Sequence, residues 1–251
     1  MRLRFVCLNL WLGGQLFDNM VDFLKREEPD ILVLQEAYRS KDPQSSQAAR
    51  SFDVLQEILK FSYGFFSANF LDKYNFLEAE SGNAILSHFP IISERALQYD
   101  IPYRVFEVDP LDYTHMPRSL QHCEVDVNGK TLNVFNTQGI WGFDGKDNER
   151  RLAMGEMIAH EVAGKPHTIL AGDFNVQEGG KTTNIIEKHV RNIFKGERTS
   201  SFNMKHKEKP GYAEAVVDMI FVSPDIKVIS HFMPEDDVSD HRPLVCELEI
   251  L

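Results

Sequence analysis

Asp173 and Asn175 close an apolar run that starts at His167, within "AGDFNV" over residues 171 to 176. Two positions apart on an extended chain, their side chains aim the same way. Gly, Asp and Asn are also common turn residues, so a simple turn competes with an active site at a strand end, where α/β proteins place chemistry. The pattern recurs along the chain. Asn9 closes the first apolar run and Glu36 the second. Asp218 sits inside "AVVDMIFV", and Asp240 and His241 lie in "VSDHRP", just before the last run.

These residue types suit one kind of chemistry. Glu36, Asp173 and Asp240 offer oxygen ligands, which favour Mg²⁺ or Mn²⁺. Asn9 and Asn175 add neutral amides that can hold a phosphate oxygen without adding repulsion. An ion beside a phosphate can neutralise developing charge and activate a water. Asp218 is the most informative, because a carboxylate within an apolar strand is costly unless it finds a donor or metal. Pairing with His241 would fix the imidazole tautomer and raise its basicity. A structural bridge to an arginine, or a place on a solvated edge, would account for Asp218 equally well. Spacing alone does not bring these residues together.

The elements that must position them alternate in the first half. "RLRFVCLNL" reads as a strand, and "LFDNMVDFLKREE" has apolar residues at helical spacing up to Pro29. "DILVLQE" is a buried strand, "SQAARSFDVLQEILK" a helix, and "YGFFSANF" a strand. A polar loop around residues 71 to 82 leads into "GNAILS". Residues 99 to 118 show no period and hold three prolines, which predicts a long surface loop. "HCEVDV" and "TLNVFN" alternate on either side of Asn128-Gly129, which marks a hairpin. "DNERRLAMGEMIAHEVAG" is an amphipathic helix with an Asp or Asn N-cap and Gly164 at its end. After "HTILAGDFN" and a variable basic stretch over 188 to 211, "AVVDMIFVS" and "RPLVCELEI" complete the strands. No repeat or low-complexity linker appears, so one domain over 1–251 is expected.

Composition bounds the partners. A hydrophobic fraction of 43% and a charged fraction of 26% are those of an ordinary globular chain. The net charge of −11 opposes a general electrostatic grip on nucleic acid. It leaves room for a nucleic-acid substrate held locally through divalent cations. Cys7, Cys123 and Cys246 are dispersed through apolar segments, so buried free thiols are expected rather than disulfides or a zinc site. The short apolar run near the N-terminus reads as a strand rather than a signal peptide, and no stretch reaches membrane-spanning length. A cytoplasmic location is expected.

"LNLW" at the start, "LQE" at 34–36, "GNAILS" at 82–87, "GDFN" at 172–175, "VDMIFVS" at 217–223 and "SDHRP" at 239–243 occur in a telling order. Together they resemble the endonuclease/exonuclease/phosphatase superfamily, metal-dependent phosphohydrolases similar to DNase I and the exonuclease III type enzymes. The resemblance runs over nearly the whole chain. It implies a DNase I-like four-layered α/β sandwich: two mixed β-sheets face to face, helices outside, and an active site at one edge with Mg²⁺ or Mn²⁺. By that resemblance Glu36 is the main metal ligand, with Asn9 beside it and Asp240 as a further metal-site residue. Asp173 positions or deprotonates the attacking water, and Asn175 orients the scissile phosphate. His241, held by Asp218, contacts phosphate. Gln138, Asn83 and Arg118 are the candidate substrate-binding residues.

One position departs from the pattern. Many relatives carry histidine in an "NTH"-like sequence after the hairpin, and here "FNTQG" has Gln138. An amide can hydrogen-bond but gives no proton to a leaving group. The expected activity is a metal-dependent phosphodiesterase that hydrolyses by in-line attack of activated water, with nucleic acid among its candidate substrates. The alternatives are a phosphatase or phospholipase C-type hydrolase of a small or lipid phosphoester, or a non-catalytic binding protein on the same fold, which only Gln138 favours. The "PxWxDR"-like segment of inositol 5-phosphatases is missing, and no basic amphipathic helix supports a lipid surface. "KHVRNIFKGERTSSFNMKHKEK", with Phe194 and Phe202, is either a phosphate-backbone track or a solvated loop. Arg104, Tyr113, His115 and Arg118 are placed to shape access, and Trp11 and Trp141 to stack on substrate or simply to pack.

Overall fold

In the computed structural model, residues 1–75, 78–108, 112–207 and 214–251 are described. Thirteen strands form two mixed sheets. The first half supplies β1 (Arg2–Asn9), α1 (Phe17–Glu27), β2 (Ile31–Ser40), α2 (Ser51–Ile58), β3 (Tyr63–Asp72), β4 (Ala79–Ser87), β5 (Ile91–Gln98) and β6 (Arg104–Phe106). The hairpin β7 (Ser119–Val127) and β8 (Lys130–Gln138) follows, then α3 (Glu149–Val162), β9 (Thr168–Asp173), α4 (Lys181–Ile186) and β10 (Arg191–Asn192). The chain continues through β11 (Asp218–Val222), β12 (Ile226–Phe232) and β13 (Leu244–Ile250). One sheet has the order β12-β13-β1-β2-β4-β3-β6, the other β10-β11-β9-β8-β7-β5.

Alternation along the strands builds the layers. Phe5, Cys7, Val33 and Ile85 face Cys123, Val125, Val134, Ile169 and Ile220 between the sheets. Val6, Leu8, Leu32 and Leu34 point outward onto Met20, Phe23 and Leu24 of α1 and Phe52 and Leu55 of α2. On the far side Phe135, Leu170, Met219 and Phe221 pack against Met154, Ile158 and Val162 of α3 and Ile186 of α4. The result is the expected four-layered sandwich. All three cysteines are free and buried. No described helix is long and apolar enough to cross a membrane.

The predicted hairpin is present: Asn128 and Gly129 both take positive φ (55° and 86°), and Val127 pairs with Lys130. Asn148 is the N-cap of α3, its side chain accepting from the Arg151 amide at 3.0 Å. The polar loop expected over 71 to 82 is shorter, because β3 and β4 extend into it. The long loop over 99 to 118 contains β6 and a 3-10 turn at Tyr113–His115, and its residues 109–111 lie outside the described ones. Strands β5, β10 and β12 and helix α4 were not anticipated. The helix expected over 46 to 60 splits into a 3-10 turn at Ala48–Arg50 and then α2.

One irregularity bears directly on function. Leu34 pairs with Ala84 but Ala37 pairs with Gly82, so Gln35 and Glu36 together oppose Asn83. This β-bulge carries Glu36 at φ 53° and re-aims its side chain. Asn136, reaching across from β8, binds the bulged pair from below. The two hydrogens of its amide nitrogen are shared among the carbonyls of Leu34 (2.9 Å) and Ala84 (3.0 Å) and the Gln121 side-chain oxygen (2.9 Å). Its oxygen accepts from the Gln35 amide at 2.6 Å. Replacing Asn136 with leucine strands these buried groups without partners. The expected loss is about 3 kcal/mol, read as a lower urea midpoint at unchanged slope; an unchanged midpoint would show that the bulge stands without it.

Candidate active site

Register brings the first group of site residues together. Asp218 pairs with Asp173 across β11 and β9, and Gln138 pairs with Asp173 across β8 and β9. Three polar side chains therefore stand in a row at one end of the second sheet. The first sheet presents Asn9, at the end of β1, and Glu36, on the bulge. Hydrogen bonds join the two rows: Asn9 Nδ2 donates to Glu36 Oε1 (3.3 Å) and Asp173 Oδ2 (3.2 Å), and Gln138 Nε2 donates to Glu36 Oε1 (2.9 Å).

The link from Asp173 to Asn175 is not strand alternation. β9 ends at Asp173, and Asn175 takes a left-handed φ of 53°. Its backbone N–H donates to Asp173 Oδ1 (2.9 Å), and its side-chain amide donates to Asp173 Oδ2 and the Gly139 carbonyl, each at 3.1 Å. The two side chains meet through an Asx turn, so turn and site are the same feature. Gly172 precedes them at φ 148°, and a Cβ there would lie 2.0 Å from the Thr137 carbonyl oxygen.

Asp218 begins β11 rather than sitting within it. Its Oδ2 lies 2.8 Å from His241 Nδ1 and accepts from Ser201 Oγ at 2.7 Å. Both partners are almost fully buried, and the carboxylate is met by a histidine and a serine instead of the arginine bridge considered above. Burial alone would lower the His241 pKa, but the charges of Asp218, Asp240 and Asp173 outweigh it and push the imidazole up to about 10. His241 is thus an imidazolium at neutral pH: Nδ1–H donates to Asp218, and Nε2–H remains as a donor. Asp173 is pushed up to about 6 by burial, with His241 opposing and Asp218 adding to the rise. Its carboxylate is poised to take a proton near neutrality.

A raised histidine pKa contributes stability that is fully present below the ordinary value of 6.5 and is lost as pH rises through about 10. Asp218→Asn should lower the His241 pKa by at least about 1 unit, measured by NMR titration of the ring nitrogens in metal-free protein. An unmoved titration would remove Asp218 as its holder.

Glu36 is presented by more than its bulge. Trp11, Leu12, Gly13 and Gly14 all take positive φ, and this turn lays the Leu12 N–H on Glu36 Oε2 at 2.9 Å. The carboxylate thus accepts three N–H groups and keeps lone-pair capacity on Oε2. It opens into a cleft of about 310 Å³ that Asp173, Asn175, Asp240, His241, Gln138 and Arg118 also line. Hard oxygen donors around one opening suit Mg²⁺ or Mn²⁺, with the Glu36 and Asp240 carboxylates and the Asn9 amide as the residues that could hold it. Asp173, Asp218 and His241 also lie close enough to suggest a metal trio, their ligand atoms within 4.8 Å. In that trio the His241–Asp218 hydrogen bond leaves Nε2 as the ring atom free to face the cleft.

Asn83, by contrast, is fully buried and does not line the cleft. Its amide donates to the Ser119 carbonyl at 3.1 Å, a bond between the sheets. Among its described residues, the basic stretch is interrupted by buried and paired side chains. Phe194 and Phe202 are buried, Lys195 pairs with Glu187, and Lys205 pairs with Asp237. Residues 208–213 lie outside the described ones. Lys207 was not singled out in the sequence, yet it enters the cleft and meets Asp240 at 2.8 Å. Burial opposes its charge, but Asp240, Glu36 and Asp173 raise its pKa. Trp11 tilts over His206 at 5.1 Å, and Trp141 stands between Tyr113 and Phe143. Arg104 and His115 are not among the lining residues.

Two stacked mixed sheets that meet at an acidic, histidine-bearing cleft define a DNase I-like protein. The chain belongs to the Endonuclease/Exonuclease/phosphatase family, whose model matches residues 7–241. No curated protein sequence is a significant match. Among solved structures the chain is similar to an endonuclease/exonuclease/phosphatase from Beutenbergia cavernae, with 18% identity, 99% of this chain and 72% of that one covered, and a TM-score of 0.76. It is also similar to a Bacteroides thetaiotaomicron mannosyl-6-phosphatase (18% identity, 98% and 99% covered, TM-score 0.70). A third is D. rerio TDP2 in complex with a single-strand DNA product (14% identity, 99% of both chains covered, TM-score 0.72). At these identities the likeness is one of fold.

Proposed function

We propose that this chain, acting as one domain, is a divalent-metal-dependent hydrolase of phosphate esters, with a phosphodiester as the leading substrate type. The observation that carries this reading is the placement of Asp173, with its raised pKa, between the Glu36 carboxylate and the charged His241–Asp218 pair in one cleft. When bound, Mg²⁺ or Mn²⁺ supplies Lewis-acid polarisation of a phosphoryl oxygen.

The protein's own groups do the rest. Asp173 accepts the proton of the attacking water. The Asn175 amide and His241 Nε2–H donate to non-bridging phosphate oxygens and stabilise the charge that grows on them. The Asp218 carboxylate keeps the imidazolium charged and turned toward the phosphate. Gln138 holds Glu36 in place and offers no transferable proton. Charge on the leaving oxygen is met by fixed cations, of which Lys207 and Arg118 line the cleft.

The test is hydrolysis by purified protein with Mg²⁺ or Mn²⁺ against EDTA, on single- and double-stranded DNA, RNA, bis-p-nitrophenyl phosphate, sphingomyelin and inositol phosphates. Turnover that needs metal and vanishes in His241→Ala supports the reading. Silence across the panel together with absent Mn²⁺ binding overturns it in favour of a binding protein on the same fold.

A further inference from the structure

Tyr113, Trp141 and Phe143 come from two separate loops and make one continuous aromatic surface. The Tyr113 and Trp141 rings meet edge-on at 6.1 Å, and Trp141 and Phe143 at 5.0 Å. Tyr113 and Trp141 line the cleft beside Asp173 and Asn175. Phe143 continues the surface outward and is 74% exposed, and Tyr113 is 37% exposed. With Trp141 half-buried between them, the exposed faces of Phe143 and Tyr113 put apolar ring surface beside a polar cleft, as at a binding surface.

The surface is held in place. Arg151, fully buried under the loop, donates from Nε to the Ile140 carbonyl (3.0 Å) and from Nη1 to the Lys146 carbonyl (2.5 Å). These bonds grip the backbone on both sides of Trp141 and Phe143. Gly142 lies against the same guanidinium, where a Cβ would come within 2.9 Å of Nη2. The Asn175 amide fixes the preceding Gly139 carbonyl, tying the aromatic loop to the phosphate-orienting residue.

Charge decides between a strand and a compact substrate. A polynucleotide needs several backbone phosphates neutralised in a row. Next to the rings along the chain, Lys146 pairs with Asp144 (3.8 Å) and Arg150 with Asp100, while Arg118 lines the cleft itself. In the cleft Lys207, Arg118 and His241 are grouped at one place rather than strung along a track, and the rings lie next to them.

We infer that Tyr113, Trp141 and Phe143 form a subsite for a planar aromatic ring carried by the substrate, so that the substrate is a compact aryl or nucleoside phosphoester rather than a nucleic-acid strand. This rests on the phosphoester reading of the cleft. Aromatic stacking favours a flat π-face over a saturated ring of equal size, with an advantage of about tenfold or more in affinity.

Calorimetric titration of the full chain in Mg²⁺ tests this without needing turnover. The ligands are methyl, cyclohexyl and phenyl phosphate, thymidine 5′-monophosphate, a hexose 6-phosphate and a thymidine decamer. Phenyl phosphate and the nucleotide should bind about tenfold tighter than methyl and cyclohexyl phosphate, and the decamer no tighter than the mononucleotide. Phe143→Ala, at an exposed position, and Trp141→Leu should each shrink the phenyl-to-cyclohexyl ratio. Equal binding of phenyl and cyclohexyl phosphate, a ratio that survives both substitutions, a hexose phosphate that binds tightest, or a decamer that binds much tighter than the nucleotide would each overturn the subsite. Failure of every phosphate to bind would instead overturn the phosphoester reading itself.

Discussion

Replacing Asp173 with asparagine should lower the hydrolysis rate by about a hundredfold to ten-thousandfold, the contribution of a positioned general base, while the protein stays folded. The side chain is only 2% exposed and accepts from Asn9 and Asn175, but its charge is out of place in energetic terms. Burial and the nearby Asp218 carboxylate raise its pKa to about 6, above the ordinary 3.8. A carboxyl raised in this way weakens the fold when ionised: the penalty is complete above pH 6 and disappears as pH falls below about 4. The neutral amide avoids the penalty but turns an NH₂ toward a donor of Asn9 or Asn175, so the unfolding temperature of Asp173→Asn at pH 8 should stay close to that of the unsubstituted protein and fall below it on acidification. The rate of the unsubstituted enzyme should fall as pH drops and Asp173 takes up its proton. A variant that unfolds, or one that retains full activity, would make Asp173 a structural residue.

Glu36→Gln should weaken Mn²⁺ binding by about a hundredfold or more, since even partners behind a metal ligand are worth 10- to 100-fold. The substitution removes the charge and puts an NH₂ where one carboxylate oxygen met an N–H of Leu12, Asn9 or Gln138. Calorimetry or Mn²⁺ resonance measures the affinity directly. Raising the metal concentration should recover part of the lost activity, because the residues that handle the phosphate are untouched. Unchanged Mn²⁺ affinity would move the metal site away from the bulge.

Much of the frame was legible because burial writes periodic patterns into strands. β1, β2, β9 and β13 appear as apolar runs, and the β7–β8 hairpin appears through Asn128-Gly129. β5 was not visible, because residues 92 to 96 are exposed and give no alternation. β12 carries a register shift between Val228 and Ser230 that breaks its period, and β10 has only two residues.

At the site, the cost of a carboxylate among apolar neighbours drew attention to Asp218 but left an arginine bridge or a solvated edge as open as a His241 partner, and only the family resemblance chose between them. The Leu12 N–H was not readable, since a backbone donor leaves no trace in residue type. Lys207 was hidden among surface lysines. Asn83 lay in a matched segment, yet its amide joins the two sheets, a task that an interior polar bridge and a binding residue advertise in the same way.

β1 pairs with β13 across most of the described chain. Phe5 and Cys246 are neighbours in space but stand at opposite ends of a long path along the chain, and closures of that span form slowly. A chain emerging from the ribosome can assemble the second sheet's hairpin early, but β1 lacks its antiparallel neighbour until β13 has been made. Asp240 and His241 sit on the approach to that strand, and Ser239 donates to the carbonyl of Asn9 at 2.7 Å. Docking of β13 on β1 therefore completes the first sheet and brings Asp240 and His241 up to Asn9 in one event.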